Sequence, residues 1–140
     1  MKASTLEGKG TREADAAIRE ARAGRMSVPD MLKVVLAAQV YVPLSAPPVM
    51  EGERIARWSP ATLTKQADGS RLLVAFTDRK LMTAFSKKSA QHSIAFLAHV
   101  SWVMGALPPA HGIGFNLDGE NWFEWTAEAV AAHRSGATPA

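Results

Sequence analysis

Residues Ala67 to Lys88 read Ala-Asp-Gly-Ser-Arg-Leu-Leu-Val-Ala-Phe-Thr-Asp-Arg-Lys-Leu-Met-Thr-Ala-Phe-Ser-Lys-Lys. Asp68-Gly69 supplies the positive φ of a tight hairpin turn. Leu72-Leu73-Val74-Ala75-Phe76 is an apolar run without alternation, which predicts a central strand covered on both faces. The chain leaves it through Thr77, whose hydroxyl is expected to cap a helix from Asp78 to about Ser86. That helix would carry Leu81, Met82 and Phe85 on one side, Asp78 at its positive end and Lys87-Lys88 beyond its negative end. Phe76, Phe85, Leu73 and Phe123 are expected to meet in one cluster.

Upstream, Leu63 to Gln66 is expected to pair with the central strand through the Asp68-Gly69 turn, and Arg54 to Trp58 reads as a short edge strand. Gln39-Val40-Tyr41-Val42 is β-branched and aromatic, a strand stopped by Pro43. Pro47-Pro48 and Gly52 then mark a loop without regular packing. Ser27 with Asp30 three residues on resembles a capping box, and Val28, Met31, Leu32, Val35 and Leu36 form the apolar stripe of the helix that follows. Before Gly24, Thr11 caps a helix to about Ala23 in which only Ile18 is large on the apolar face, a weak contributor to the core that docks loosely or serves a partner. Residues 1–10 are expected to be a flexible leader.

Downstream, Ser93-Ile94-Ala95 reads as another short strand. Phe96, Leu97, Val100, Met104 and Leu107 fall on one helical face closed by Pro108-Pro109. Gly112 to Leu117 and Trp122 to Trp125 form a second hairpin about Asp118-Gly119, and Thr126 caps a last helix to about Ala132. One domain over residues 11–134 is expected, with a flexible tail over 135–140.

The chain has 140 residues, 47% of them hydrophobic, enough for one core and too few for two comfortable domains. It has no cysteine, which excludes disulfides, thiolate catalysis and cysteine-ligated metals. The formal net charge is +3, with basic and acidic residues interspersed, a balance that favours solubility over polyanion binding. No apolar run resembles a signal-peptide core or a membrane span, so a cytoplasmic location and no membrane partner are expected.

Chemistry is sparse. His111-Gly112-Ile113-Gly114 is faintly like an oxyanion loop, but the Gly-x-Ser-x-Gly partner motif is absent. Asn116 to Asn121 offers oxygen ligands without the spacing of a calcium loop, and His92, His99, His111 and His133 lack metal-ligand spacing. Asp118 and Glu120 sit in a solvated turn, where an acid/base pair is not expected. Arg12, Arg19, Arg22 and Arg25 are interleaved with Glu13, Asp15 and Glu20, which offsets a nucleic-acid footprint. No catalytic residue, metal site or cofactor is therefore assigned.

The tryptophans carry more. In a strand from Asn121 to Trp125, Phe123 and Trp125 take one face, and Trp122 with Glu124 takes the other. With Phe123 inward, Trp122 is at least partly exposed. Trp122 and Glu124 are thus the candidate interaction surface.

Leu72 to Asp78, with Leu81 and Phe85 after it, and Leu107-Pro108-Pro109 leading to Gly112-Ile113-Gly114-Phe115-Asn116, resemble the N-terminal domain of the SseB family, named for enhanced serine sensitivity. The resemblance covers about Ser27 to Ala132. It implies an α+β fold and brings no established reaction, cofactor or catalytic residue. The expected architecture is a single α+β domain, a mixed, mainly antiparallel sheet covered by helices. The function expected first is a non-enzymatic protein-interaction or regulatory module whose partner is another protein or a second copy. A small-molecule-binding or hydrolytic domain using the His111–Asn116 loop is the alternative, and weak nucleic-acid binding comes third.

Overall fold

The computed structural model describes residues 2–134, so the tail expected over 135–140 lies outside the described residues. In chain order the elements are α1 (Lys2–Arg22), α2 (Val28–Leu36), β1 (Gln39–Leu44), β2 (Val49–Glu51), β3 (Arg54–Arg57), β4 (Thr62–Thr64) and β5 (Arg71–Ala75). They continue as α3 (Arg79–Lys88), β6 (Ile94–His99), α4 (Val100–Ala106), β7 (His111–Phe115), β8 (Phe123–Trp125) and α5 (Ala127–Arg134).

The predicted central strand is β5, which lies inside a four-stranded sheet of order β4-β5-β7-β8. Its antiparallel partner β4 is reached through the Asp68-Gly69 turn, where Gly69 has φ +73° and Asp68 Oδ1 accepts from the Ser70 N–H at 2.9 Å. β7 joins β5 in parallel, and β8 returns antiparallel to β7. A second pair, β1 and β6, meets this sheet where Tyr41 and Phe76 exchange two main-chain hydrogen bonds of 2.8 Å. The result is the expected α+β domain with a mixed sheet.

Several elements differ from the sequence expectation, each for a physical reason. α1 starts at Lys2, ahead of Thr11, because a helix whose later turns are docked elongates at one hydrogen bond per residue. Nor is its docking loose: Ala14 and Ile18 are fully buried and Ala17 nearly so, since alanines let the helix lie close to its neighbours. β1 runs through Pro43 instead of stopping there. Tyr41 directs its main-chain N–H toward Phe76, so Pro43, two residues on, lacks a donor on that same side and leaves the β6 ladder intact. The Pro47–Gly52 segment contributes β2 and pairs with β3 in a hairpin turning at Gly52.

Phe96 and Leu97 belong to β6 and not to the following helix, which starts at Val100. A short apolar run fits either period, and the six-residue ladder offered by β1 decides it. Ser27 does cap α2, its hydroxyl accepting from the Asp30 N–H at 3.2 Å, and Thr126 caps α5 through the Ala129 N–H at 3.2 Å.

The core has two layers. One gathers Ala14, Ile18, Met31, Val35, Val40, Val42, Leu73, Ile113, Phe115 and Trp125, with Val103 of α4 and Val130 of α5. The other, under α3, holds Tyr41, Val74, Phe76 and Met82, with Phe85 packed against it. The four residues expected to cluster are therefore split: Phe76 and Phe85 pair at 5.5 Å between ring centroids, while Leu73 and Phe123 lie in the other layer. Leu73 and Phe76 are three apart along one extended segment, and odd spacings face opposite ways.

Candidate functional site

Because β5 and β7 are parallel, they end at the same edge of the sheet, and the residues that follow them, Thr77 and Asn116, meet there. Asn116 is fully buried with φ +61°, a left-handed conformation that asparagine tolerates better than most residues. Its side-chain oxygen accepts from the Thr77 N–H at 2.8 Å, and its amide donates to the Thr77 hydroxyl at 2.9 Å and to the Asn121 carbonyl at 3.2 Å. The Thr77 hydroxyl donates in turn to Asp15 Oδ1 at 2.9 Å. Asn121 Nδ2 donates to that oxygen at 3.1 Å, and Arg19 donates to Oδ2 at 2.5 Å. This network fastens α1 to the ends of two strands. It also corrects the expected cap of α3, which is Asp78, accepting from the Lys80 N–H at 2.8 Å.

Beside the network lies a cleft of about 340 Å³ lined by Asp15, Arg19, Asp78, Leu81, Asp118, Glu120 and Asn121. Asp15 is held by three donors and Asp78 by the helix it caps. No side-chain nitrogen or oxygen buried among the described residues lacks a partner, and no group of three or more metal-ligating side chains occurs among them. Asp118 lies on the cleft's exposed rim with φ +65°, so the turn takes its positive φ at Asn116 and Asp118.

The second hairpin places the tryptophans with the expected parity. Phe123 and Trp125 stand opposite Phe115 and Ile113, on the core face; Trp125 is 4% exposed. Glu124 stands opposite Gly114 on the other face, with Trp122 just before the strand. Trp122 is half-buried, and its indole rests on the main chain of β7: a Cβ at Gly114 would come within 2.9 Å of Cη2 and 3.4 Å of Leu72 Cδ1. The missing side chain of Gly114 thus makes the seat for the ring. Glu124 pairs with Lys65 at 2.8 Å, and this bond holds the lysine pKa above its usual value. Main-chain atoms anchor the same corner, since Arg22 donates to the Trp122 carbonyl at 2.6 Å.

The face shared by Trp122 and Glu124 was legible from the sequence, whereas the Lys65 pair and the Gly114 seat were not. The usable signal was parity: Gly112 and Gly114 share a face with Leu72 and Val74, so something must cover the apolar side chains there. His111 and Asn116, proposed to share a ligand, lie at opposite ends of β7. His111 Nδ1 sits 2.9 Å from the Pro109 carbonyl, while Asn116 belongs to the Asp15 network. Of the four arginines in and just after α1, Arg19 pairs with Asp15 and Arg25 with Glu20, while Arg22 donates to the Trp122 carbonyl.

No helix among the described residues is long and apolar enough to cross a membrane. Residues 14–132 match the family model described as SseB protein N-terminal domain. No curated protein and no solved structure matches the chain.

Proposed function

The chain belongs to the SseB family, and for this member we propose a non-enzymatic role as a protein-interaction module that engages another protein, or a second copy of itself, through the surface of Trp122 and Glu124. The observation carrying this is the seating of Trp122. Its indole rests on Gly114 and its main-chain carbonyl is held by Arg22, yet the residue stays only half-buried beside a charged pair. A rigid aromatic ring with a polar rim is the usual anatomy of an interface hot spot, because little conformational freedom is lost when a partner covers it.

The polar groups that an enzyme would direct at a substrate are here directed at one another. Asn116 uses its side-chain oxygen and both amide hydrogens within the chain, and Thr77 uses its hydroxyl as donor and as acceptor. That supports a mechanical role for the Asp15–Asn116 network, joining α1 to the sheet.

The test is association of the wild-type chain and Trp122→Ala, by sedimentation velocity for self-association and by affinity capture from the native host for other partners. The variant is expected to fold and to associate at least tenfold more weakly. Unchanged association by both measurements would overturn the proposal.

A further inference from the structure

β6 is the outer strand of its pair, and its main chain is half used. Tyr41 turns its N–H and carbonyl toward Phe76, so the alternation of an antiparallel ladder leaves Val40, Val42 and Leu44 to bond β6. Their partners are Ala98, Phe96 and Ile94. Ala95 and Leu97 then direct their N–H and carbonyl groups away from β1, and among the described residues no hydrogen bond from another element reaches them. The strand Ile94-Ala95-Phe96-Leu97-Ala98-His99 has no lysine, proline or acidic residue to blunt this edge.

A groove of about 390 Å³ runs along the same edge, lined by Ser93, Ala95 and Leu97, by Tyr41, and by α3 through Arg79, Met82, Thr83 and Ser86. α3 is strongly basic. Beyond its Asp78 cap the helix has no acidic residue; Arg79 lines the groove itself, Lys80 and Lys87 lie at helical spacing from Thr83 on the adjoining flank, and among the described residues these two lysines pair with no carboxylate. An extended segment added to β6 would place alternate side chains toward this helix.

We propose that the free edge of β6 and the basic flank of α3 form a docking groove for an extended acidic segment of a partner protein, which adds to β6 as an antiparallel or parallel strand with its carboxylates facing α3. Charge decides the occupant. A second copy pairing β6 to β6 would bring no carboxylate on that strand and would set one basic α3 near another, a like-charge juxtaposition. This surface is separate from Trp122, so either proposal can fail while the other stands.

The probe is a fluorescently labelled seven-residue peptide alternating glutamate and valine, with an alternating lysine and valine peptide as control, read by anisotropy on the full chain at low salt. The acidic peptide is expected to bind, to weaken as salt is raised, and to bind at least tenfold more weakly to Lys80→Glu/Lys87→Glu. Ala95→Pro removes an N–H with no partner among the described residues, a substitution that edge strands tolerate, and should abolish binding while leaving the circular-dichroism melt intact. Should that variant unfold, backbone N-methylation of the peptide replaces it and is expected to abolish binding to the wild-type chain. Absence of binding, equal binding of the lysine peptide, or binding indifferent to N-methylation would overturn the proposal.

Discussion

Asn116 combines three demanding properties: full burial, a positive φ, and a side chain with every hydrogen-bonding atom engaged. Removing it strands the Thr77 N–H and the Asn121 carbonyl and imposes alanine on a left-handed backbone. Asn116→Ala is therefore expected to cost about 3 kcal/mol in urea titration, within the range for breaking a buried network. Asp68 works at smaller scale. The Ser70 hydroxyl and N–H hold its pKa below the usual carboxylate value, so its folded form is favoured above the ordinary titration range and the contribution is lost as pH falls through the depressed value. The pH dependence of unfolding should accordingly flatten on the acid side in Asp68→Asn. Trp122 is half-buried, its ring lying over Gly114, so Trp122→Ala is expected to cost about 1–2 kcal/mol, less than the roughly 3–5 kcal/mol of removing a buried tryptophan such as Trp125.

At the scale of elements, β7 is defined by what its glycines lack. A Cβ on Gly112 would stand 2.3 Å from the Trp125 carbonyl oxygen and 2.8 Å from the Ala127 nitrogen, main-chain atoms that cannot swing aside. Gly112→Ala should cost about 3 kcal/mol in thermal or urea unfolding and disturb the β8–α5 corner, whereas Gly114→Ala meets only the far edge of an indole and should shift Trp122 fluorescence at lower cost. The elements legible from sequence were those with local punctuation: the Asp68-Gly69 hairpin, the Ser27 cap of α2 and the Thr126 cap of α5. β1 beyond Pro43 and β6 through His99 were not, because their limits depend on a partner strand far along the chain. The site divides in the same way. Alternation within one short strand places Trp122 and Glu124 on one face, but Thr77 reaches Asp15 across 62 residues and Asn121 reaches it across 106, pairings that no local pattern encodes.

Over the whole molecule, two features divide the labour. At the carboxyl ends of β5 and β7, polar side chains close on one another and bind α1 to the sheet. At the β8 corner, Trp122 is held rigid while remaining half-buried. The proposed surface at Trp122 and the acidic cleft can be tested separately by substitution. The most direct measurement is quantitative affinity capture from the native host with three folded baits: the wild-type chain, Trp122→Ala, and Asp118→Asn/Glu120→Gln, which neutralises the exposed rim of the cleft and retains asparagine at the left-handed position. The expected result is that Trp122→Ala loses the specific partner while the cleft variant keeps it. Loss of the partner from the cleft variant, with Trp122→Ala capturing as the wild type does, would contradict the assignment of the interaction surface.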